Sequence, residues 1–325
     1  MIYLESSNTN PSFNLALEQY AFETLAGDDD IFMLWQNDNA VIIGLHQNTA
    51  EEINSSFINE NNISVIRRLS GGGAVFHDLG NLNYSFISKV QAIEAVDFAQ
   101  QSERIAQALI SLGLRVEFSG RNDMTIDGRK FSGGAAYCRD GKLLYHGTLL
   151  FNTDLEKMSE ALRVNSDKLV SKSVKSIRAR VVNLSDYLDI DIDEFKARIR
   201  KAIAGDAAEY ALGTAESATV EAISRERYGT WEWNFGRNPE YDVIKRKRIE
   251  GFGSLRITMS VEHGKIAGFS TDGDYFGNKK CGDVAAALHG VRLELADVTE
   301  AMGALKFEEF YEGIDVETFA RLVVE

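Results

Sequence analysis

The amino-acid sequence predicts an α+β protein with one large domain and a small α+β accessory domain at its C-terminal end. Three observations carry this. Helix-period and strand-period runs are mixed without the alternation that builds a doubly wound parallel sheet. The triple glycine Gly71-Gly72-Gly73 leads into a strand-like run and not into a helix. After Trp231-Glu232-Trp233-Asn234-Phe235-Gly236-Arg237-Asn238-Pro239 the texture changes, and residues 243–325 read as a domain apart from residues 1–242.

Element by element, Ser12 can cap a first helix in which Phe13, Leu17, Tyr20 and Ala21 recur at helical spacing, with Gly27 as the stop. Strand-like runs follow at Ile31–Trp35 and Ala40–Gly44, then a helix around Ala50–Glu60 and a β-branched run at Ile63–Ile66. Leu82–Ile87 and Leu114–Phe118 read as strands around an amphipathic helix, Asp97–Leu112, with Phe98, Ile105, Leu109 and Leu112 on one side. Asn122–Tyr137 contains Asp127-Gly128, a strong signal for a two-residue hairpin turn. Leu143–Phe151 is a further strand, and helices are expected near Asp154–Leu162, Asp193–Ala204 and Glu216–Tyr228. In the accessory domain Leu255, Ile257, Met259 and Val261 alternate, His263-Gly264 turns the chain, and two short helices follow, near Asp283–Leu288 and Asp297–Leu305.

The chain has 325 residues and a formal net charge of −14, from 35 basic and 49 acidic side chains. Such a field repels nucleic-acid backbones, so nucleic acid is not an expected partner. Cys138 and Cys281 lie far apart, with no disulfide framework and no paired metal or redox motif. The N-terminus lacks a signal-peptide pattern, and no run approaches the roughly 20 apolar residues that span a bilayer. A cytoplasmic monomer with no membrane partner is the expectation.

Two segments look chemical. Ser70-Gly71-Gly72-Gly73 follows Arg67 and Arg68 directly. Successive glycines suit tight backbone geometry, their N–H groups can cradle an anion, and the arginines are donors for phosphate or carboxylate. The bland alternative is a flexible hairpin loop. Neither a P-loop nor a dinucleotide fingerprint is present. In the hairpin, a two-residue turn at Asp127-Gly128 pairs Ile126 with Arg129, Thr125 with Lys130, Met124 with Phe131 and Asp123 with Ser132. Met124, Ile126 and Phe131 then share an apolar face, while Asp123, Thr125, Lys130 and Ser132 share a polar one. The small residues Gly133, Gly134 and Ala135 leave room for a ligand beside Lys130. Oxygen ligands of Asn122 and Asp123 suit a magnesium ion, and Lys130 suits charge neutralisation on phosphate or acyl oxygen.

These segments, with His146-Gly147-Thr148 and Ser176-Ile177-Arg178-Ala179-Arg180-Val181-Val182-Asn183-Leu184, stand in the order and spacing of the lipoate–protein ligase A family, which the chain resembles over residues 1–240 and in its tail. The resemblance implies a biotin/lipoate protein ligase-like, class II synthetase-like catalytic domain. It implies ATP-dependent activation of lipoate to lipoyl-AMP, with Mg2+, and transfer to a lysine of an acceptor. The acceptors implied are lipoyl domains of 2-oxoacid dehydrogenase E2 subunits or the glycine-cleavage H protein. Lys130 would be the catalytic lysine. Arg68, Ser70, Gly72, Gly73, Ala74, Val75, Phe76, His77, Asn122, Asp123, Ser132, Gly133, Ala135, His146 and Gly147 would surround ATP and the adenylate. Two departures bear on pocket detail: Gly134 stands where the family often has serine, and Tyr145 precedes His146 where it often has a second histidine.

Lys168, Lys172, Lys175, Arg178 and Arg180 form a basic run with no acidic residue between them. They suit either a solvated basic face or a loop that closes over the adenylate. Three rivals keep the same fold: an octanoyl or lipoyl transferase with Cys138 as acyl nucleophile, a biotin ligase, which the motifs disfavour, and a non-catalytic lipoate-binding protein.

Overall fold

A computed structural model describes residues 1–27, 29–90, 98–119, 122–162, 180–250, 252–275 and 281–324, with the side chains of 98 and 99 left out. The chain divides into two compact units. One comprises Met1–Gln47, Glu51–Ile53 and Phe57–Thr230, the other Asn48–Ala50, Asn54–Ser56 and Trp231–Glu325.

The first unit is built on β1 (Ile2–Glu5), β2 (Ile31–Trp35), β3 (Ala40–Ile43), β4 (Ser64–Arg67), β5 (Val75–His77), β6 (Asn81–Lys89), β7 (Glu117–Ser119), β8 (Asp123–Ile126), β9 (Arg129–Arg139) and β10 (Lys142–Leu150). Seven of these form one sheet in the order β1-β2-β6-β10-β9-β8-β7, and β4-β3-β5 form a small second sheet. The large sheet is antiparallel except for β1 with β2. Its helices include α1 (Pro11–Tyr20), α2 (Thr49–Glu52), α3 (Ser55–Glu60), α4 (Phe98–Ser111), α5 (Leu155–Ala161), α6 (Ile192–Ala204) and α7 (Thr214–Ile223), α2 and α3 being shared in part with the second unit.

Strand alternation divides the large sheet into two functions. Phe32 and Leu34 of β2, Tyr84 and Phe86 of β6 and Tyr145 and Leu149 of β10 point to one face. There they pack with Ile105 and Leu109 of α4 in the main core. The intervening Trp35, Asn83, His146, Thr148 and Leu150 line a cavity on the opposite side. Each large core side chain stabilises by about 1.5–3 kcal/mol on burial. That investment on one face holds the other in register for a ligand.

Two local expectations are corrected. The first helix is capped by Asn10, whose side chain accepts from the Phe13 N–H, because Pro11 is suited to the first helical position. Ser12 lies inside the helix. The hairpin keeps its turn, with Asp127 at φ 52° and Gly128 at φ 72°, and its first two pairs, Ile126–Arg129 and Thr125–Lys130. Beyond them a bulge intervenes: Met124 pairs with Ser132 and Asp123 with Gly133. Phe131 is the extra residue. It joins Met124 and Ile126 in the core, while alternation moves Ser132 to the Tyr84 side and brings Gly133 and Ala135 onto the face of Lys130.

The second unit carries an antiparallel sheet, β11 (Tyr241–Ile249), β12 (Gly253–Glu262) and β13 (Lys265–Gly273), with α8 (Trp231–Asn234), α9 (Gly282–Leu288), α10 (Leu295–Gly303) and α11 (Val316–Val324). The alternating Leu255, Ile257, Met259 and Val261 form one wall of its core against Val284, Leu288, Val298, Met302, Phe319 and Val323.

Candidate active site

The glycine-rich loop is held by its own arginines. Arg67 is fully buried and donates from Nη1 to the carbonyls of Gly44, Leu45 and Gln47 at 2.9, 3.1 and 2.7 Å. Arg68 donates from Nη2 to Gly71 and Gly73 at 2.6 and 2.9 Å, from Nη1 to Ile42 at 3.1 Å, and from Nε to the Ser70 hydroxyl at 3.0 Å. Burial pulls the Arg68 guanidinium down to about 10, and the Glu18 charge partly offsets this. Gly72, at φ +92°, adopts a conformation that favours glycine, and a Cβ there would meet Arg68 Nη2 at 2.9 Å. The loop is therefore braced and not slack.

On the hairpin, Lys130 reaches into the cavity wall with its ammonium 2.8 Å from Asp123 Oδ1. A Cβ at Gly133 would meet Lys130 Nζ at 2.9 Å, so the bulge makes room for the lysine by placing a glycine beneath it. The Lys130 backbone is tied on both sides: its N–H donates to Arg180 O at 2.8 Å, and its carbonyl accepts from Val182 N–H at 2.9 Å. Asn122 donates its amide to the Gly134 carbonyl, leaving Oδ1 as the acceptor that an incoming group could use.

Both predicted histidines are buried in the cavity wall. An amide N–H from Asn37, 3.1 Å from His77 Nδ1, puts the ring proton on Nε2, which has no partner among the described residues. Burial, with Arg68 and His146 adding to it, pushes the His77 ring down to about 3, so it is a neutral donor. His146 lies between Glu18 Oε1, 2.9 Å from Nδ1, and Ser70 Oγ, 2.6 Å from Nε2.

One cavity of about 270 Å3 collects these groups. Arg68 and residues 72–77 form one wall, and Asn122, Lys130, Gly133, Ala135, His146 and Gly147 another, with Ser132 contributing behind them. Ser70 is fully buried behind the wall, and Asp123 reaches the site through Lys130. The expected loop residues Lys172, Lys175 and Arg178 lie outside the described residues. Leu15, Trp35, Ile42, Met158 and Leu162 supply an apolar lining that sequence reasoning left unassigned, and Glu18 supports His146 from α1. Nothing in their local sequence marked them, because apolar residues at helix and strand period read as core. Cys138 pairs with Leu143, three positions along β9 from the Ala135–His146 pair, and burial raises its thiol, which opposes a thiolate.

An apolar lining beside a glycine-rich loop, a lysine and a neutral imidazole donor suits an apolar acid activated as a phosphate anhydride. That class is acyl activation. A lipoyl protein ligase A/B catalytic-domain family matches residues 10–204, and the bacterial lipoate protein ligase C-terminus matches residues 238–323. Lipoate-protein ligase LplJ of Bacillus subtilis (strain 168) is 38% identical over 331 residues, covering 99% of this chain and 100% of its own. A bipartite lipoate protein ligase of Thermoplasma acidophilum, described with its E2 lipoyl domain, superposes with a TM-score of 0.65 at 31% identity, over 73% of this chain and 96% of its own. A lipoate-protein ligase A bound with ATP superposes with a TM-score of 0.63 at 29% identity, over 73% and 98%. The chain belongs to the lipoate–protein ligase family and has the activity of that family.

Proposed function

We propose that this ligase carries out both half-reactions in the one cavity. The carboxylate of lipoate attacks the α-phosphorus of ATP and expels pyrophosphate; the ε-amine of an acceptor lysine then attacks the mixed anhydride and AMP leaves. Both steps build negative charge on oxygen, which calls for preorganised donors more than for a titrating base. Lys130 sits where it can meet phosphate and carboxyl oxygen together, and its placement on the bulged hairpin is the observation that carries the reading.

The glycine-rich loop, residues 70–76, supplies backbone N–H groups for the nucleotide, and Arg68 acts by shaping the loop, since its donors are turned to loop carbonyls. His77 Nε2–H is a further neutral donor toward the ligand. Asn122 and Asp123 are the oxygen donors for Mg2+. Among the described residues no cluster of three or more His, Cys, Asp or Glu could hold a metal, so such an ion would rely on phosphate and water for its remaining ligands, as magnesium commonly does. When bound it neutralises phosphate charge. The functional division we favour is residues 1–242 for catalysis and 243–325 as accessory domain. The acceptor is an E2 lipoyl domain, on the strength of the archaeal relative described with one, and a glycine-cleavage carrier is the second choice. Two free cysteines and the need for ATP suit the cytoplasm.

The test incubates the full chain with lipoate, ATP, Mg2+ and an apo lipoyl domain and follows acceptor mass. Lipoylation that requires ATP and persists in Cys138→Ser supports this reading. ATP-independent transfer from an acyl carrier protein, lost in Cys138→Ser, would replace it with a transferase.

A further inference from the structure

Glu18 lies in α1, far in sequence from every glycine-rich or lysine-bearing segment, and yet its carboxylate is buried at 1% exposure. A buried carboxylate is costly unless hydrogen-bonded and matched in charge. Ser85 Oγ donates to its Oε1 at 2.5 Å, and His146 Nδ1 stands 2.9 Å from the same oxygen. From His146 the chain of contacts continues through Nε2 to Ser70 Oγ at 2.6 Å, from Ser70 to Arg68 Nε at 3.0 Å, and from Arg68 Nη2 to the carbonyls of Gly71 and Gly73. The pattern is continuous from helix to loop.

The proton count is consistent. The carboxylate accepts from His146 Nδ1–H, leaving Nε2 to accept the Ser70 O–H, while the Ser70 oxygen accepts from Arg68 Nε–H. A Glu–His–Ser array resembles a nucleophile triad, but this serine is fully buried, takes an arginine N–H and does not line the cavity. The array is built to hold, not to attack. The Glu18 charge also acts on the buried Arg68 guanidinium and favours its charged form.

We propose that Glu18 is a positioning residue: through His146 and Ser70 its carboxylate orients Arg68, and Arg68 in turn fixes the glycine-rich loop in its cavity-lining conformation. The inference rests on the adenylation reading only for its kinetic readout. The experiment compares wild type, Glu18→Gln, Ser70→Ala and the double variant of the full chain. Pyrophosphate release gives KM for ATP and kcat separately, and 15N NMR of the histidine rings follows His146. The expected result is a KM for ATP raised about 10- to 100-fold in either single variant, the loss of one charge-assisted hydrogen bond, with kcat changed far less. The double variant should be little worse than the worse single one, because both cut the same relay. His146 ring signals should move in both variants. Should Glu18→Gln fail to fold, Ser70→Ala carries the same two readouts. Wild-type KM values, or His146 signals unmoved by the variants, would overturn the proposal. A wild-type chain that releases no pyrophosphate would instead sink the adenylation reading, and the NMR comparison would still decide the role of Glu18.

Discussion

In the cavity wall the His77 Nε2–H is buried without a partner among the described residues, a cost of about 1–3 kcal/mol that a ligand acceptor would relieve. Its titration gives a stability signature. The ring's ordinary value of 6.5 falls to about 3 in the fold. Below 6.5 the unfolded chain therefore takes up a proton that the native chain refuses until about 3, so stability is lost as pH falls through that window. In His77→Gln the dependence of unfolding free energy on pH across the window should flatten by up to about 1.4 kcal/mol per pH unit. A slope identical to wild type in denaturant titrations would contradict the assignment. Cys138 makes the opposite case: its raised thiol and its position along β9 leave it without a part, and Cys138→Ser should lipoylate at the wild-type rate.

Among the elements, the glycine-rich loop and the hairpin depend on close backbone approach, and single substitutions should show it. A Cβ at Gly44, at the end of β3, would sit 2.1 Å from the carbonyl oxygen of Gly72. Gly44→Ala should push the loop out of the cavity wall and raise KM for ATP, at a stability cost of about 1–3 kcal/mol from the overpacked contact. An unchanged KM in steady-state kinetics would show that the loop does not bear on the nucleotide. The turn at Asp127-Gly128 was legible because only a few residue pairs tolerate two left-handed conformations in succession. The bulge two pairs further on was not, since Phe131 keeps the apolar face that an unbulged hairpin would give it and only the residues after it change sides. Strand β11 was missed for another reason. Lys245-Arg246-Lys247-Arg248 carries no apolar alternation, and pairing with β12 makes it a strand. The apolar half of the cavity was equally illegible, because Trp35 or Met158 looks the same on a cavity wall as in a core.

For the whole molecule, an acidic chain of net charge −14 handles an anionic nucleotide, so its attraction must be local. Local it is: a glycine-rich loop braced by Arg67 and Arg68, and Lys130 with its ammonium in the cavity wall. Relatives that match across both units extend the same reading to the full chain, since the Bacillus ligase is covered over its whole length. Lys130 is the residue proposed to neutralise charge during adenylation. The direct measurement is pyrophosphate release from ATP and lipoate, without acceptor, by wild type and Lys130→Ala. The proposed role of Lys130 predicts a rate lower by about 100- to 1,000-fold in the variant, with the thermal midpoint preserved because the side chain is half-exposed. A variant that folds and releases pyrophosphate at the wild-type rate would contradict it.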